Sequence, residues 1–163
     1  MKRKHFLSSL LASPIIPGLS YHSLAGAEQK LWEEEFFTTP PYLKPGDTIG
    51  ITCPAGHISA AELDPAVAAL QSWGFKLRLG STVGKRDFTF GGTDEERTAD
   101  MQQMLDDPSL QAILCARGGY GCIRIIDRLD FRKFSESPKS IIGFSDITVI
   151  HAHLNRNYRI ASI

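Results

Sequence analysis

From Leu43 onward, short apolar runs rich in β-branched residues alternate with longer stretches of helical periodicity, and this alternation leaves the chain few ways to fold. Thr48–Cys53, Ala112–Ala116 and Ser140–Gly143 are such runs, and Phe75–Leu79 reads as a further short strand. The first two helical stretches open with capping boxes, Ser59 with Glu62 and Thr93 with Glu96. In each, a hydroxyl accepts from the third helical amide and the glutamate reaches back to the cap amide. Leu63, Val67 and Leu70 recur at helical spacing until Gly74, and the second helix runs to about Leu105, where Asp107-Pro108 ends it. Ile123, Ile126 and Leu129 suit a further helix, Ile147 to Asn155 another, and Arg159–Ile163 begins one more strand. Strands that lack polar alternation are buried on both faces. In a strand–helix chain that means a parallel sheet joined by right-handed crossovers. The expected class is α/β: a parallel sheet flanked by helices, Rossmann-like or flavodoxin-like, over residues 43–163. Ligands of such sheets bind beyond the carboxyl ends of the strands. The loops there are Pro54–Ser59, Arg117–Gly121 and Phe144–Asp146.

The chain carries 18 basic and 18 acidic side chains in 163 residues. With no net charge there is no electrostatic pull toward nucleic acid or an anionic membrane surface, and neither is expected as a partner. Residues 1–27 read as a signal peptide: Lys2, Arg3 and Lys4 are basic, Phe6 to Leu19 is mostly apolar, and Ala25-Gly26-Ala27 is a small-x-small cleavage site. Arg3-Lys4-His5-Phe6-Leu7 also looks like a twin-arginine signal with lysine as its second basic residue. The apolar run is too short, and too broken by Pro14 and Pro17, to span a bilayer. Export to the periplasm or the cell exterior is the expectation, with residues 28–42 as a linker or N-terminal arm. Cys53, Cys115 and Cys122 have neither paired metal-site spacing nor a disulfide framework, and read as buried thiols. A Cys115–Cys122 disulfide stays open as an alternative after export. No metal or cofactor is expected.

Two stretches carry chemistry. In Ile141-Ile142-Gly143-Phe144-Ser145-Asp146 an apolar run ends in glycine, and a serine precedes a helix. A serine on such a turn is pushed out of the backbone, in front of the unpaired N–H groups of the helix N-terminus. That is the logic of a nucleophile elbow, here without the second glycine of G-x-S-x-G. In Arg117-Gly118-Gly119-Tyr120-Gly121, glycines permit positive φ and close backbone approach. This turn suits a phosphate cradle, an oxyanion hole or a tight packing turn. Its spacing matches neither G-x-G-x-x-G nor a P-loop, so a nucleotide binder lacks its fingerprint.

Taken in order, Leu43-Lys44-Pro45-Gly46-Asp47-Thr48-Ile49, Cys53-Pro54-Ala55-Gly56, Phe90-Gly91-Gly92-Thr93-Asp94-Glu95-Glu96-Arg97, Ala116-Arg117-Gly118-Gly119-Tyr120-Gly121 and Ile142-Gly143-Phe144-Ser145-Asp146-Ile147-Thr148 resemble the LD-carboxypeptidase family of serine peptidases. That family includes murein tetrapeptide carboxypeptidases and microcin C self-immunity peptidases. The resemblance covers Leu43 to Ile163, the family's N-terminal domain. It implies Ser145 as nucleophile, with the backbone N–H groups of Asp146 and Gly119 as oxyanion donors. Arg117, Gly118 and Tyr120 are the expected substrate-binding residues. Arg117 suits a terminal carboxylate through charge-assisted hydrogen bonds, or else an ion pair that orders the loop. The implied substrate is a murein peptide whose terminal D-alanine follows an L-configured centre of a diamino acid. A homodimer is implied for the full-length protein.

The family completes its triad with a glutamate and a histidine from a C-terminal domain. This sequence stops at Ile163 inside an apolar run, so that domain is expected to be absent and the chain to be a nearly inert fragment. His151 does not replace the missing base: six residues along a helix is about 9 Å of rise, beyond the roughly 3 Å a general base spans. His153 lies farther still, and His57 in a strand-end loop reads as solvated or ligand-facing. A non-catalytic α/β module that binds murein peptides or anions is the competing reading. A domain built to abut a second one leaves apolar surface uncovered, so self-association of the isolated chain is expected.

Overall fold

The computed structural model describes residues 37–163, so the leader and most of the linker lie outside the described residues. Four parallel strands form the sheet: β1 (Thr48–Thr52), β2 (Lys76–Leu79), β3 (Ala112–Cys115) and β4 (Ser140–Ile142), in the order β2-β1-β3-β4. In register, Ile51 pairs with Leu79 on one side and Leu114 on the other, and Leu114 pairs with Ile142. The chain's end continues the sheet beyond β4. The Ile163 N–H donates to the Ile141 carbonyl at 3.0 Å, and Ile163 accepts from the Gly143 N–H at 2.8 Å. On the far side Thr38 forms a parallel bridge with Ile160, so this part of the N-terminal arm is paired with the sheet.

Five α-helices flank the sheet among the described residues: α1 (Ala60–Ser72), α2 (Asp94–Asp106), α3 (Cys122–Ile125) and α4 (Arg132–Glu136) between strands, and α5 (Thr148–Tyr158) after β4. Both expected capping boxes form. Glu62 N donates to Ser59 Oγ at 3.3 Å while Ser59 N donates to Glu62 Oε2 at 2.9 Å. Thr93 and Glu96 repeat the exchange at 3.2 and 3.0 Å. The core joins Ile113 and Ile141 of the sheet to Met101, Met104 and Leu105 of α2 and to Ile150 and Leu154 of α5. Each buried aliphatic side chain of this size contributes about 1.5–3 kcal/mol by leaving water. β2 departs from the expectation of strands covered on both faces: it is an edge strand, and Leu79 is 54% exposed.

The single helix expected over Ile123 to Leu129 is instead α3 followed by a 3-10 turn, Ile126–Arg128, and then α4. The break lies at Asp130. Gln102 of α2 brackets its backbone, donating to the Asp130 carbonyl at 2.9 Å and accepting its N–H at 2.8 Å. The Asp130 carboxylate then accepts from the Arg132 N–H at 2.9 Å and starts the next helix. Behind it Phe131 is fully buried, edge-on to Phe134 with centroids 6.1 Å apart.

One buried polar cluster crosses the fold. Asp100 of α2 accepts from Thr52 Oγ1 at 2.6 Å, Thr82 Oγ1 at 2.5 Å and the Ser81 N–H at 2.7 Å. Longer contacts come from Thr82 N at 3.3 Å and Ser81 Oγ at 3.2 Å. It ties the end of β1, the loop after β2 and the middle of α2 into one unit.

Cys53, Cys115 and Cys122 are free and buried. Burial pushes the Cys53 thiol up to about 11 and the Cys115 thiol to about 12, and raises Cys122 as well. The thiolate is the reactive form. The folded chain is therefore expected to be inert to a thiol-titrating disulfide reagent at neutral pH, with all three cysteines reacting in denaturant. Release of the chromophore measures both states, and prompt reaction of the native protein would contradict this burial.

Candidate active site

Ser145 stands where β4 gives way to α5. Its backbone is left-handed, with φ 60, one of three non-glycine residues at positive φ among those described. Such a conformation costs on the order of 1–3 kcal/mol and persists only where the surroundings impose it. Here the imposed shape is a 3-10 turn, Ser145–Ile147, closed by the Ile147 N–H on the Phe144 carbonyl at 3.2 Å. Gly143 makes the reversal sterically feasible, because a Cβ there would sit 2.7 Å from Ile147 Cγ2. The result is an exposed serine on a turn between a buried strand and a helix.

The three expected loops converge at this serine. A Cβ on Gly118 would lie 2.7 Å from Ser145 Cβ and 3.0 Å from the Phe144 carbonyl oxygen, so only glycine fits that contact. The Gly118 carbonyl accepts from the Gly56 N–H at 2.9 Å, which joins the loop after β1 to the loop after β3. Gly119 and Gly121 take φ values of 115 and 121. The N–H groups of Gly119 and Asp146 have no hydrogen-bond partner among the described residues, so both are available to a ligand. Tyr120 is exposed at the turn's tip, and Phe88, Ile123 and Phe144 are further exposed apolar side chains. Arg117 is half exposed and reaches Glu62 and the His57 carbonyl, each at 3.4 Å. It borders the convergence through these long contacts.

Two side chains whose roles the sequence does not reveal organise these loops. Arg97 is fully buried. Its Nη1 donates to the Pro54 carbonyl at 2.5 Å and the Gly121 carbonyl at 3.0 Å, its Nε to the Gly92 carbonyl at 3.2 Å, and its Nη2 to Asp94 at 2.5 Å. The Phe90 ring packs on the guanidinium at 4.9 Å. Asp146, expected only as a backbone donor, also accepts the Cys122 N–H on its carboxylate at 2.8 Å. The one sequence signal for Arg97 is its place at the end of the Phe90–Arg97 motif, which does not reveal that it faces inward.

Asp94 serves two cations. The hydrogen bond from Arg124 chiefly holds its carboxyl below the usual range, and Arg97 adds to this. A carboxyl whose folded pKa is depressed stabilises the fold above its unfolded pKa, and that contribution is lost as pH falls through the folded value. Stability is therefore expected to fall below about pH 4, the ordinary aspartate value. Asp94→Asn should flatten that part of the acid limb in urea unfolding at stepped pH, and an unchanged limb would count against the pairing.

No histidine serves the serine among the described residues. His151 Nε2 lies 3.3 Å from the Gly143 carbonyl, and its Nδ1 is buried without a partner. His153 packs on Phe131 at 5.0 Å and contacts Asn157 at 3.2 Å. His57 keeps Nδ1 buried and unpartnered. No side chain among the described residues is hydrogen-bonded to the Ser145 hydroxyl. Nor does any group of three His, Cys, Asp or Glu side chains among them sit where it could hold a metal ion. A cleft of about 550 Å³ lies at the opposite ends of the strands, lined in part by Asp47, Gln111 and Lys139.

Residues 49–163 match the N-terminal domain of the LD-carboxypeptidase family. The chain belongs to that family. It is 36% identical over 118 residues to a probable murein peptide carboxypeptidase of Bacillus subtilis, a match covering 72% of this chain and 37% of the relative. A murein tetrapeptide carboxypeptidase of Pseudomonas aeruginosa is 34% identical over 110 residues, covering 67% and 36%. Among solved structures, an MccF-like protein from Bacillus anthracis superposes with a TM-score of 0.72 at 26% identity, over 77% of this chain and 39% of that one. The chain thus spans less than two-fifths of the length of these LD-carboxypeptidase relatives. The family match covers nearly all of the sheet and the three converging loops, and the α/β architecture is the one expected from the alternation of strands and helices.

Proposed function

We propose that this chain is the nucleophile-bearing domain of an exported serine carboxypeptidase that removes terminal D-alanine from murein tetrapeptides. The observation that carries the reading is Ser145, exposed at φ 60 and pressed against Gly118 where two unpartnered amides are available. Hydrolysis by serine needs a base to take the hydroxyl proton and donors for the tetrahedral oxyanion. The Asp146 and Gly119 N–H groups serve as the donors, and Arg117 with Tyr120 meets the substrate's free carboxylate end. The base and its orienting carboxylate come from outside the described residues, since no described histidine serves the hydroxyl. That division fits relatives nearly twice as long, two of which carry murein peptide carboxypeptidase names. Export by the basic and apolar leader, to the periplasm or the cell exterior, would bring the enzyme to the murein.

Release of D-alanine from a murein tetrapeptide tests this. The chain by itself is expected to release none above background. A form extended by a domain carrying the glutamate and histidine is expected to yield tripeptide and D-alanine. Rapid turnover by the chain alone would overturn the account of the base. Tight peptide binding without turnover in either form would favour a binding module.

A further inference from the structure

The peptide group between Gly121 and Cys122 is gripped at both of its polar atoms. Its carbonyl oxygen accepts from Arg97 Nη1 at 3.0 Å, and its N–H donates to Asp146 Oδ2 at 2.8 Å. The two side chains come from distant parts of the sequence, one near the start of α2 and one directly after Ser145. At the other end of the turn the Gly118 carbonyl is held by the Gly56 N–H at 2.9 Å. Only Gly119 and Tyr120 lie between these anchors. Gly119 and Gly121 both have positive φ, a region that glycine enters and leaves at little cost. The turn therefore has little stiffness of its own, and its shape depends on what holds its ends.

Both holders are themselves fixed. Arg97 is fully buried, and its other hydrogen bonds go to Pro54, Gly92 and Asp94. Asp146 follows Ser145 within the 3-10 turn, so its carboxylate reaches the Cys122 N–H from the elbow itself. We propose that Arg97 and Asp146 are positioning residues: together they fix the Gly121–Cys122 peptide and so hold the Gly118–Gly121 turn, with its Gly119 N–H, against Ser145. This rests on the proposed function, in which Ser145 attacks and the Gly119 and Asp146 amides receive the oxyanion. Asp146 then has two duties, one amide donor from its backbone and, through its carboxylate, the placement of the loop that carries the other. The elbow and the turn move as one body, so the spacing of the two donors is preserved when either shifts.

The test uses the isotope-labelled chain and NMR. Gly118 Hα and Ser145 Hβ are in contact in this arrangement and give a nuclear Overhauser effect. Asp146→Ala is expected to abolish that effect and to speed exchange of the Cys122 amide at least about tenfold, the loss of one charge-assisted hydrogen bond. Signals of Ser81 and Thr82 around Asp100 should stay in place, which reports an intact fold. Asp146→Asn keeps an acceptor oxygen and is expected to restore both readouts, which a change in bulk stability would not do. Arg97→Lys should give an intermediate result. Arg97→Met risks unfolding, so the Asp146 pair decides. An unchanged Gly118–Ser145 effect and unchanged Cys122 exchange in Asp146→Ala would overturn the proposal. None of these readouts depends on turnover. A serine that proves idle in peptide hydrolysis refutes the proposed function, whereas an unmoved turn refutes only this inference.

Discussion

Exchange of Ser145 for alanine is expected to cut D-alanine release about 10⁴-fold or more in any form of the protein that hydrolyses murein tetrapeptide. The size of the effect follows from what alanine removes and what it leaves. It deletes the only atom that attacks, yet leaves the Gly118–Gly121 turn, the two free amides and the Arg117 rim as they are. Peptide affinity should therefore stay within a few-fold of the parent while turnover disappears. Alanine at φ 60 is also no more strained than serine, so stability should change little. Steady-state kinetics with direct peptide binding separates the two quantities. Activity within tenfold of the parent would remove Ser145 from the reaction.

The second large effect is one of stability. Asp100→Ala is expected to destabilise the domain by about 3–5 kcal/mol, because it strands several buried donors at once. Thr52 Oγ1, Thr82 Oγ1 and the Ser81 N–H each lose a partner within 2.7 Å; Thr52 and Thr82 are fully buried, while Ser81 borders solvent. The opposing effect is relief from burying a carboxyl side chain, which favours the variant. The stranded donors outweigh it, since each costs about 1–3 kcal/mol when left unpaired and a methyl group satisfies none of them. The midpoint of thermal unfolding should fall by roughly 10 °C or more. Thr82→Val, which removes one of these donors, should cost less than half as much in urea unfolding. A loss below about 1 kcal/mol for Asp100→Ala would mean that water replaces the carboxylate at little cost.

What could be read from the residues was what depends on near neighbours. The capping boxes at Ser59 and Thr93 involve residues three apart, and both form as expected. The four strands fall within a residue or so of their apolar runs, and parallel pairing follows from the helices between them. The convergence of the loops at Gly56, Gly118 and Ser145 is a property of all such sheets. What escaped depends on distant partners. The break at Asp130 exists because Gln102, 28 positions away, brackets it. Arg97 lies in the first turns of a helix rich in charge and looks solvent-facing, but three loop carbonyls, the Asp94 carboxylate and a ring turn it inward. Asp146 was legible as a neighbour of the serine but not as the acceptor of an amide 24 positions earlier. β2 alternates charged and apolar residues, Lys76-Leu77-Arg78-Leu79, the pattern of a half-covered strand, and the sheet order places it at the border.

The left-handed backbone at position 145 restricts the chemical repertoire of this scaffold. A β-branched side chain suits that conformation poorly, since its second γ substituent crowds the adjoining peptide. Threonine, the one other proteinogenic alcohol of comparable size, is thereby disfavoured at the elbow, while cysteine has serine's shape and fits. The scaffold can exchange oxygen for sulfur in one step, but cannot trade a primary alcohol for a secondary one without rebuilding the turn.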